Sequence, residues 1–295
     1  MRKFLIVTAD DFGLHATVNE AIEQAARAGV LTAASLMIAA PAAADAIRRA
    51  RALPDLRVGL HLVLADGSAV LPPRLIPALA DPAGRIRSRM IVDGMRYYAL
   101  PRVRRQLEAE IRAQYVAFAR TGLLLDHVNV HKHFHLHPTL LNMLLRIGRD
   151  FGVPAVRIPA EPLWFALRGA GISGLAAALA LAPLAALMRR RLRAAGVACN
   201  DHLFGIACSG SMDEATLLEI LGRLPAGATE IYLHPATESG LAVAASMPAY
   251  RHADELAALL SPRVRAAVAA AAAPRGGYRD WIDSRASGAS TRPAW

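Results

Sequence analysis

Short apolar runs that alternate with segments of helical periodicity set the strongest limit on what this chain can become. FLIVTA at 4–9 is a continuous run of buried-strand type, and VNEAIEQAARAG at 18–29 follows with helical spacing and a terminal Gly29. The pattern recurs with TAASLMIAA (32–40) before AAADAIRRARAL (42–53), and with RVGLHLVLA (57–65) before a Pro-rich loop. RRQLEAEIRAQYVAFARTG is a strong amphipathic helix, and LLLDHVNVH (123–131) precedes helical TLLNMLLRIGRDFG (139–152). PAVRIP (154–159) and TEIYLHP (229–235) read as later strands, EATLLEILGRL and DELAALL as later helices. Serial β/α alternation predicts an α/β protein built on a parallel sheet or barrel. The 295 residues fit one large domain. We place it at 1–283, with SRASGASTRPAW at 284–295 as a disordered tail by composition.

Composition narrows the class. Hydrophobic residues make up 54% but aromatics only 5%, and the excess is mostly alanine, which favours a helix-rich α/β protein over a sandwich. Cys199 and Cys208 are too few for a disulfide framework or a cysteine zinc site, which fits a reducing compartment. MRKFLIV lacks the apolar core of a secretory signal, so a cytoplasmic location is expected. The net charge of +10 rests on arginine, with Lys3 and Lys132 the only lysines. Nucleic acid is not expected as a partner, because the arginine clusters at 102–105 and 189–193 lack interleaved aromatics and no binding motif accompanies them. An anionic membrane surface accounts for them at least as well.

The polar residues fall at particular places on this frame. Asp10 and Asp11 end the first strand, His61 lies near the end of the third, His131 and His133 come at the end of the strand at 123–131, and His234 ends TEIYLH. All lie at C-terminal strand ends, the face where α/β barrels assemble active sites from several strands. DHVNVHKHFHLHP (126–138) holds five of the ten histidines. In an extended segment His131 and His133 share a face, while His127, His135 and His137 read as satisfied structural groups. An isolated Asp-Asp would be a helix cap, but beside convergent histidines it completes an Asp/His/His set with open positions for water. Such a set suits Zn²⁺ or another divalent ion tolerant of nitrogen and oxygen ligands.

TADDFGL, the VNEAI helix, GLHLVL around His61, HVNVHKHFHLHP and the late LHP of His234 together resemble the YdjC-like carbohydrate deacetylases, which include the chitooligosaccharide deacetylases. SLMIAAPAAADA, LDHVNVHKHFHLHP, VRIPAEP and NDHLFGIACSGSM resemble more narrowly the hopanoid-biosynthesis-associated branch, often called HpnK. The resemblance implies a TIM-barrel-like fold, one divalent metal ion (Mg²⁺ or Zn²⁺) and removal of acetyl from an N-acetylated sugar, borne in the branch by a hopanoid lipid. Carried across position by position, it implies metal ligands at Asp11, His61 and His131, a base at Asp10, and an acid at His234 that donates to the departing amine. His133 and Arg157 are expected to contact substrate.

GAGISGLAAALALAPLAALM (169–188) is uncharged over twenty residues and ends in RRRLR, within an apolar insertion at about 163–198. By length it could span a bilayer, but its alanines, glycines and Pro183 weaken its hydropathy. A helical hairpin or lid is preferred, against the alternative of an ordinary packed helix. A segment that ends in arginines also suits peripheral contact with an anionic membrane, at the inner face of the cytoplasmic membrane. A homodimer remains open. Two further readings stand beside the glycolipid deacetylase: deacetylation of a soluble oligosaccharide, and a metal-dependent phosphodiesterase motivated by the charge.

Overall fold

A computed structural model of the chain describes residues 3–87, 90–240, 243 and 246–289. The chain runs through β1 (Lys3–Phe12), α1 (Ala16–Ala28), β2 (Ala33–Leu36), α2 (Ala43–Arg51) and β3 (Arg57–Leu62). A small antiparallel ribbon of β4 (Gly67–Ser68) and β5 (Arg85–Ile86) follows, then α3 (Met90–Ala99) and α4 (Pro101–Ala119). Next come β6 (Leu125–Val130), α5 (Pro138–Gly148), α6 (Leu163–Ala194), β7 (His202–Phe204), α7 (Glu214–Gly222) and β8 (Gly227–Leu233). The described chain ends with α8 (His252–Leu260), α9 (Pro262–Ala270) and α10 (Tyr278–Ala289).

Six strands form one curled parallel sheet in the order β6-β3-β2-β1-β8-β7. An eight-strand barrel is not formed among the described residues. The expected strand at 154–159 contributes only single bridges, Val128 to Val156 and Ala155 to Ala198, which carry the chain past the β6 edge. Pro154 and Pro159 flank this stretch and cannot donate to a ladder, which keeps the pairing short.

The two faces of the sheet differ, and β1 shows how. Leu5, Val7 and Ala9 point outward into the main core beneath the helices. Phe4 and Ile6 point inward and pack with Tyr278 and Trp281 of α10, so the end of the chain plugs one end of the curl. This corrects the expected tail, because residues 284–289 continue α10; residues 290–295 lie outside the described residues. Above the plug the inner face turns polar at Thr8 and Asp10, both buried. Gly59 of β3 belongs to this interior for a steric reason: a Cβ there would stand 2.5 Å from the ring of His127.

The apolar insertion is one long element broken at a corner. Ala170 and Gly171 leave helical geometry, with Gly171 at φ 62°, and Gly174 comes back against the carbonyl of Ala166. Both ends are buried in the body, through Phe165 and Ala166 at one and Met188 and Leu192 at the other. The stretch between is mostly exposed, so α6 is not an ordinary core helix, although it is long and apolar enough to cross a membrane.

Candidate metal centre and catalytic cavity

The inward positions of four strands build one connected polar layer. Glu230 of β8 accepts from Thr8 Oγ1 (2.7 Å), from the Tyr278 hydroxyl (2.5 Å) and from Arg157 at 2.8 and 3.0 Å. Arg157 also grips Asp10, through Nη1 to Oδ2 at 2.5 Å and Nη2 to Oδ1 at 3.0 Å. Asn129 Nδ2 donates to Asp10 Oδ1 (3.0 Å) and to Ser35 Oγ (2.9 Å), and Ser35 meets His127 Nε2 at 3.0 Å. His127 Nδ1 reaches Asp126 (2.9 Å), whose carboxylate caps the backbone N–H groups of Tyr278 and Arg279. Each member is buried and partnered, the condition under which a polar core rigidifies a site instead of weakening it.

The next level up carries the candidate metal ligands. A register shift between Ala9 and Phe12 marks a bulge in β1, and Asp11 within it has φ 63°. The two neighbouring carboxylates therefore diverge, Asp10 toward Arg157 and Asp11 toward His61 and His131. Asp11 Oδ1 lies 3.3 Å from His61 Nε2 and 3.4 Å from His131 Nδ1, and the two ring nitrogens are 3.3 Å apart. These contacts are long for charge-assisted hydrogen bonds, and both Asp11 oxygens are buried without a hydrogen-bond partner. Two ligands held roughly 2.0–2.1 Å from a tetrahedral ion stand roughly 3.3 Å apart, so the triangle has the edges of a tetrahedral site. Asp11, His61 and His131 could thus hold a metal ion.

Asn129 fixes the chemistry of one ligand. Its amide nitrogen is committed to Asp10 and Ser35, so its Oδ1 must accept the 2.7 Å bond from His61 Nδ1. That assignment puts the His61 proton on Nδ1 and leaves the Nε2 lone pair facing Asp11 and His131.

Electrostatics separate the groups further. Burial works to raise the Asp10 pKa, but the Arg157 guanidinium outweighs it and holds the carboxyl well below the ordinary range. Burial lowers His133 well below the usual imidazole value, with Arg157 adding to the effect, and burial lowers His234 as well. His234 is therefore mostly neutral at rest near neutral pH. Its Nδ1 is buried without a partner, while its backbone is tied to Glu255 and to the His252 ring at 2.5 Å each.

Asp10, His61, His131, His133, His234 and Tyr232 converge on a cavity of about 110 Å³. His131, Lys132 and Met247 also line an outer groove of about 720 Å³ that runs past His15, Asp66 and Arg85. Five non-glycine residues among those described have left-handed φ angles; three of them, Asp66, Lys132 and His133, line this double cavity, and a fourth, Asp11, contacts the cavity-lining His61 and His131. Strain of this kind collects where a function requires it.

Two expectations about individual residues need correction. His131 and His133 do not share a strand face, because β6 stops at Val130 and the chain turns through left-handed geometry at Lys132 and His133. His133 still reaches the cavity wall, where its Nε2 meets the Tyr232 hydroxyl at 3.1 Å. Arg157 is fully buried and spends its guanidinium on Asp10 and Glu230, so it is closed to substrate. His127, His135 and His137 are structural: His135 contacts the Arg157 carbonyl at 2.8 Å, and His137 caps α5 at Thr139. Sequence reasoning missed Asn129, Glu230 and Tyr232. Period-two spacing was the available signal, since Asn129 alternates with His127 and His131, and Glu230 and Tyr232 with His234.

Comparison with known proteins adds relatives to this geometry. The profile of a family described as YdjC-like protein matches residues 4–270. A carbohydrate deacetylase of Brevibacillus brevis is 39% identical over 155 residues, covering 52% of this chain and 59% of that protein. One from Thermoanaerobacter pseudethanolicus is 25% identical over 234 residues, covering 79% and 81%. The chain thus spans under two thirds of the first relative's length. A solved structure of a proposed cellobiose-phosphate cleavage protein from Enterococcus faecalis superposes with a TM-score of 0.74 at 23% identity, over 95% of this chain and 99% of that one, and so shares the fold.

Proposed function

Since the chain belongs to the YdjC-like family, we propose that it is a metal-dependent carbohydrate N-deacetylase that hydrolyses the acetamide of an N-acetylglucosamine-type sugar. The observation that carries this reading is the triangle of Asp11, His61 and His131 donor atoms beside a small cavity walled by Asp10 and His234. A divalent ion held by those three residues would polarise the amide carbonyl and make bound water more acidic. A donor set of one carboxylate and two imidazoles suits Zn²⁺ better than Mg²⁺, which prefers oxygen ligands.

The reaction adds water across the amide: an O–C bond forms, the C–N bond breaks, and a proton from water ends on the amine nitrogen. Asp10 stays ionised under Arg157 and is therefore a firm hydrogen-bond acceptor that orients the water but a weak store for its proton. Neutral His234 on the same cavity takes the proton and returns it to the leaving nitrogen. His133, kept neutral and directed to Tyr232, shapes the wall against which the acetyl group rests.

The motifs SLMIAAPAAADA and NDHLFGIACSGSM, with their likeness to the hopanoid-associated branch, support a sugar carried on a hopanoid lipid, and the free Cys199 and Cys208 support a cytoplasmic site of action. The test is incubation with an N-acetylglucosaminyl hopanoid, a chitooligosaccharide and a phosphodiester, each with metal and with chelator, read by mass spectrometry. Loss of one acetyl group from the hopanoid sugar alone is expected. Acetyl loss from the soluble oligosaccharide only would move the substrate to that class, and phosphodiester cleavage without acetyl loss would refute the reading.

A further inference from the structure

Eleven large apolar side chains stand exposed among the described residues, and nine of them lie on two stretches, α3 with Leu100 and α6. The most exposed are Tyr98 (74%) and Met95 (60%) on α3, and Ile172 (82%) and Leu179 (52%) on α6. Both stretches pack on the segment that carries the candidate site. Gly94 of α3 lies against Phe134 and His137, α6 touches the 131–136 turn, and each helix touches α5. The exposed apolar side chains thus gather on two helices that share α5 as a neighbour and do not scatter over the molecule.

The charge around the patch is mostly basic, and the acidic groups near it, Asp93, Glu108 and Glu219, are each paired with an arginine. Arg102, Arg104 and Arg105 follow α3, Arg189, Arg190, Arg191 and Arg193 end α6, and no acidic residue occurs from 163 to 194. Arg102, Arg105, Arg190 and Arg193 form no ion pair among the described residues. A cleft of about 560 Å³ between α5 and the end of α6 is lined by Arg149, by Arg191, which bonds Asn142, and by Arg146, which is paired with Glu108. The matching partner is apolar within and anionic at its surface. Because both ends of α6 are buried in the same body, the helix lies along such a partner and does not cross it.

We propose that α3 and α6 form a docking surface for an anionic lipid bilayer, with the unpaired arginines on head-group phosphates and the exposed side chains in the acyl boundary. The inference rests on the surface alone and holds whichever sugar the site accepts. The test is flotation of the whole chain with phosphatidylglycerol–phosphatidylcholine vesicles and with pure phosphatidylcholine vesicles, at low and high salt. Salt-sensitive binding to the anionic vesicles is expected. The pair Arg190→Gln and Arg193→Gln should weaken it roughly fivefold per arginine, and the pair Ile172→Ser and Leu179→Ser should weaken it at both salts. Thermal unfolding unchanged in both variants shows that the fold is kept. Absence of binding by the unmodified chain, or undiminished binding by both variants, overturns the proposal. Concentration-dependent dimerisation abolished by Ile172→Ser and Leu179→Ser, without vesicle binding, assigns the patch to a second copy and overturns it too.

Discussion

Asn129→Ala tests the link between the buried layer and the metal centre. The side chain makes three hydrogen bonds, at 2.7 Å to His61 Nδ1, 3.0 Å to Asp10 Oδ1 and 2.9 Å to Ser35 Oγ. Their loss is unequal in effect. Asp10 keeps its two bonds from Arg157 and Ser35 keeps His127, so only the His61 N–H is orphaned in a buried place. One unsatisfied buried donor costs about 1–3 kcal/mol of stability. The lost acceptor, Asn129 Oδ1, sets the tautomer that leaves Nε2 free to bind, and losing such a support typically lowers metal affinity about 10–100-fold. Chemical denaturation of the metal-free protein and calorimetric titration with Zn²⁺ measure the two effects separately. Asn129→Asp is the companion: it still accepts from His61 but cannot donate to Asp10 and sets a second carboxylate beside it. It should lose stability while keeping zinc affinity closer to that of the unmodified protein. Unchanged zinc affinity in Asn129→Ala would refute the reasoning, because His61 would then be oriented by something else.

Arg157→Met leaves Asp10 and Glu230 buried without their shared cation, which should cost about 3–5 kcal/mol in urea unfolding; a loss below about 1 kcal/mol would mean that the pair is not the keystone of the layer. Asp11→Gly removes a ligand but relieves a left-handed φ of 63°, so metal-free protein should unfold no earlier than the original, by up to about 1 kcal/mol in its favour, while zinc binding disappears. Burial pushes Glu255 up to about 7, above its ordinary unfolded value, so its contribution to stability is present at acid pH and is lost as pH rises through 7. Buried histidines with lowered pKa values, His133 and His234 among them, act in the opposite sense. The Glu255 contribution is therefore read as the difference between the unfolding profiles of the original protein and Glu255→Gln, a difference that should change by about 3 kcal/mol at most from pH 5 to pH 8. His61→Ala and His131→Ala should each lose bound metal without unfolding, as metal analysis and circular dichroism would report.

How far the sequence could be read depended on whether a residue's role was set by its own strand or by a distant partner. Asp10, Asp11, His61, His131 and His234 were legible because a parallel β/α chain delivers every strand's C-terminal end to one face, a consequence of topology that needs no contact to be known. Alternation then failed at a definite point. It is a property of extended backbone, and β6 ends at Val130, so carrying it on to His133 crossed into a turn whose left-handed residues are paid for by the cavity they shape. Arg157 was misread for a different reason. An arginine near strand ends suggests a ligand for substrate, and only the fold reveals Glu230, 73 positions away, completing its enclosure beside Asp10. The chain end was misread because SRASGASTRPAW is polar and small, yet the helix that contains its first six residues is anchored upstream by Tyr278 and Trp281 inside the curl. Composition describes what a segment can bury by itself, whereas α10 is held by the interior it closes. The same distinction governs α6: its sequence is apolar enough for a membrane or a core, and the buried ends with an exposed middle select a third arrangement, a helix fastened to the body that keeps its apolar side free.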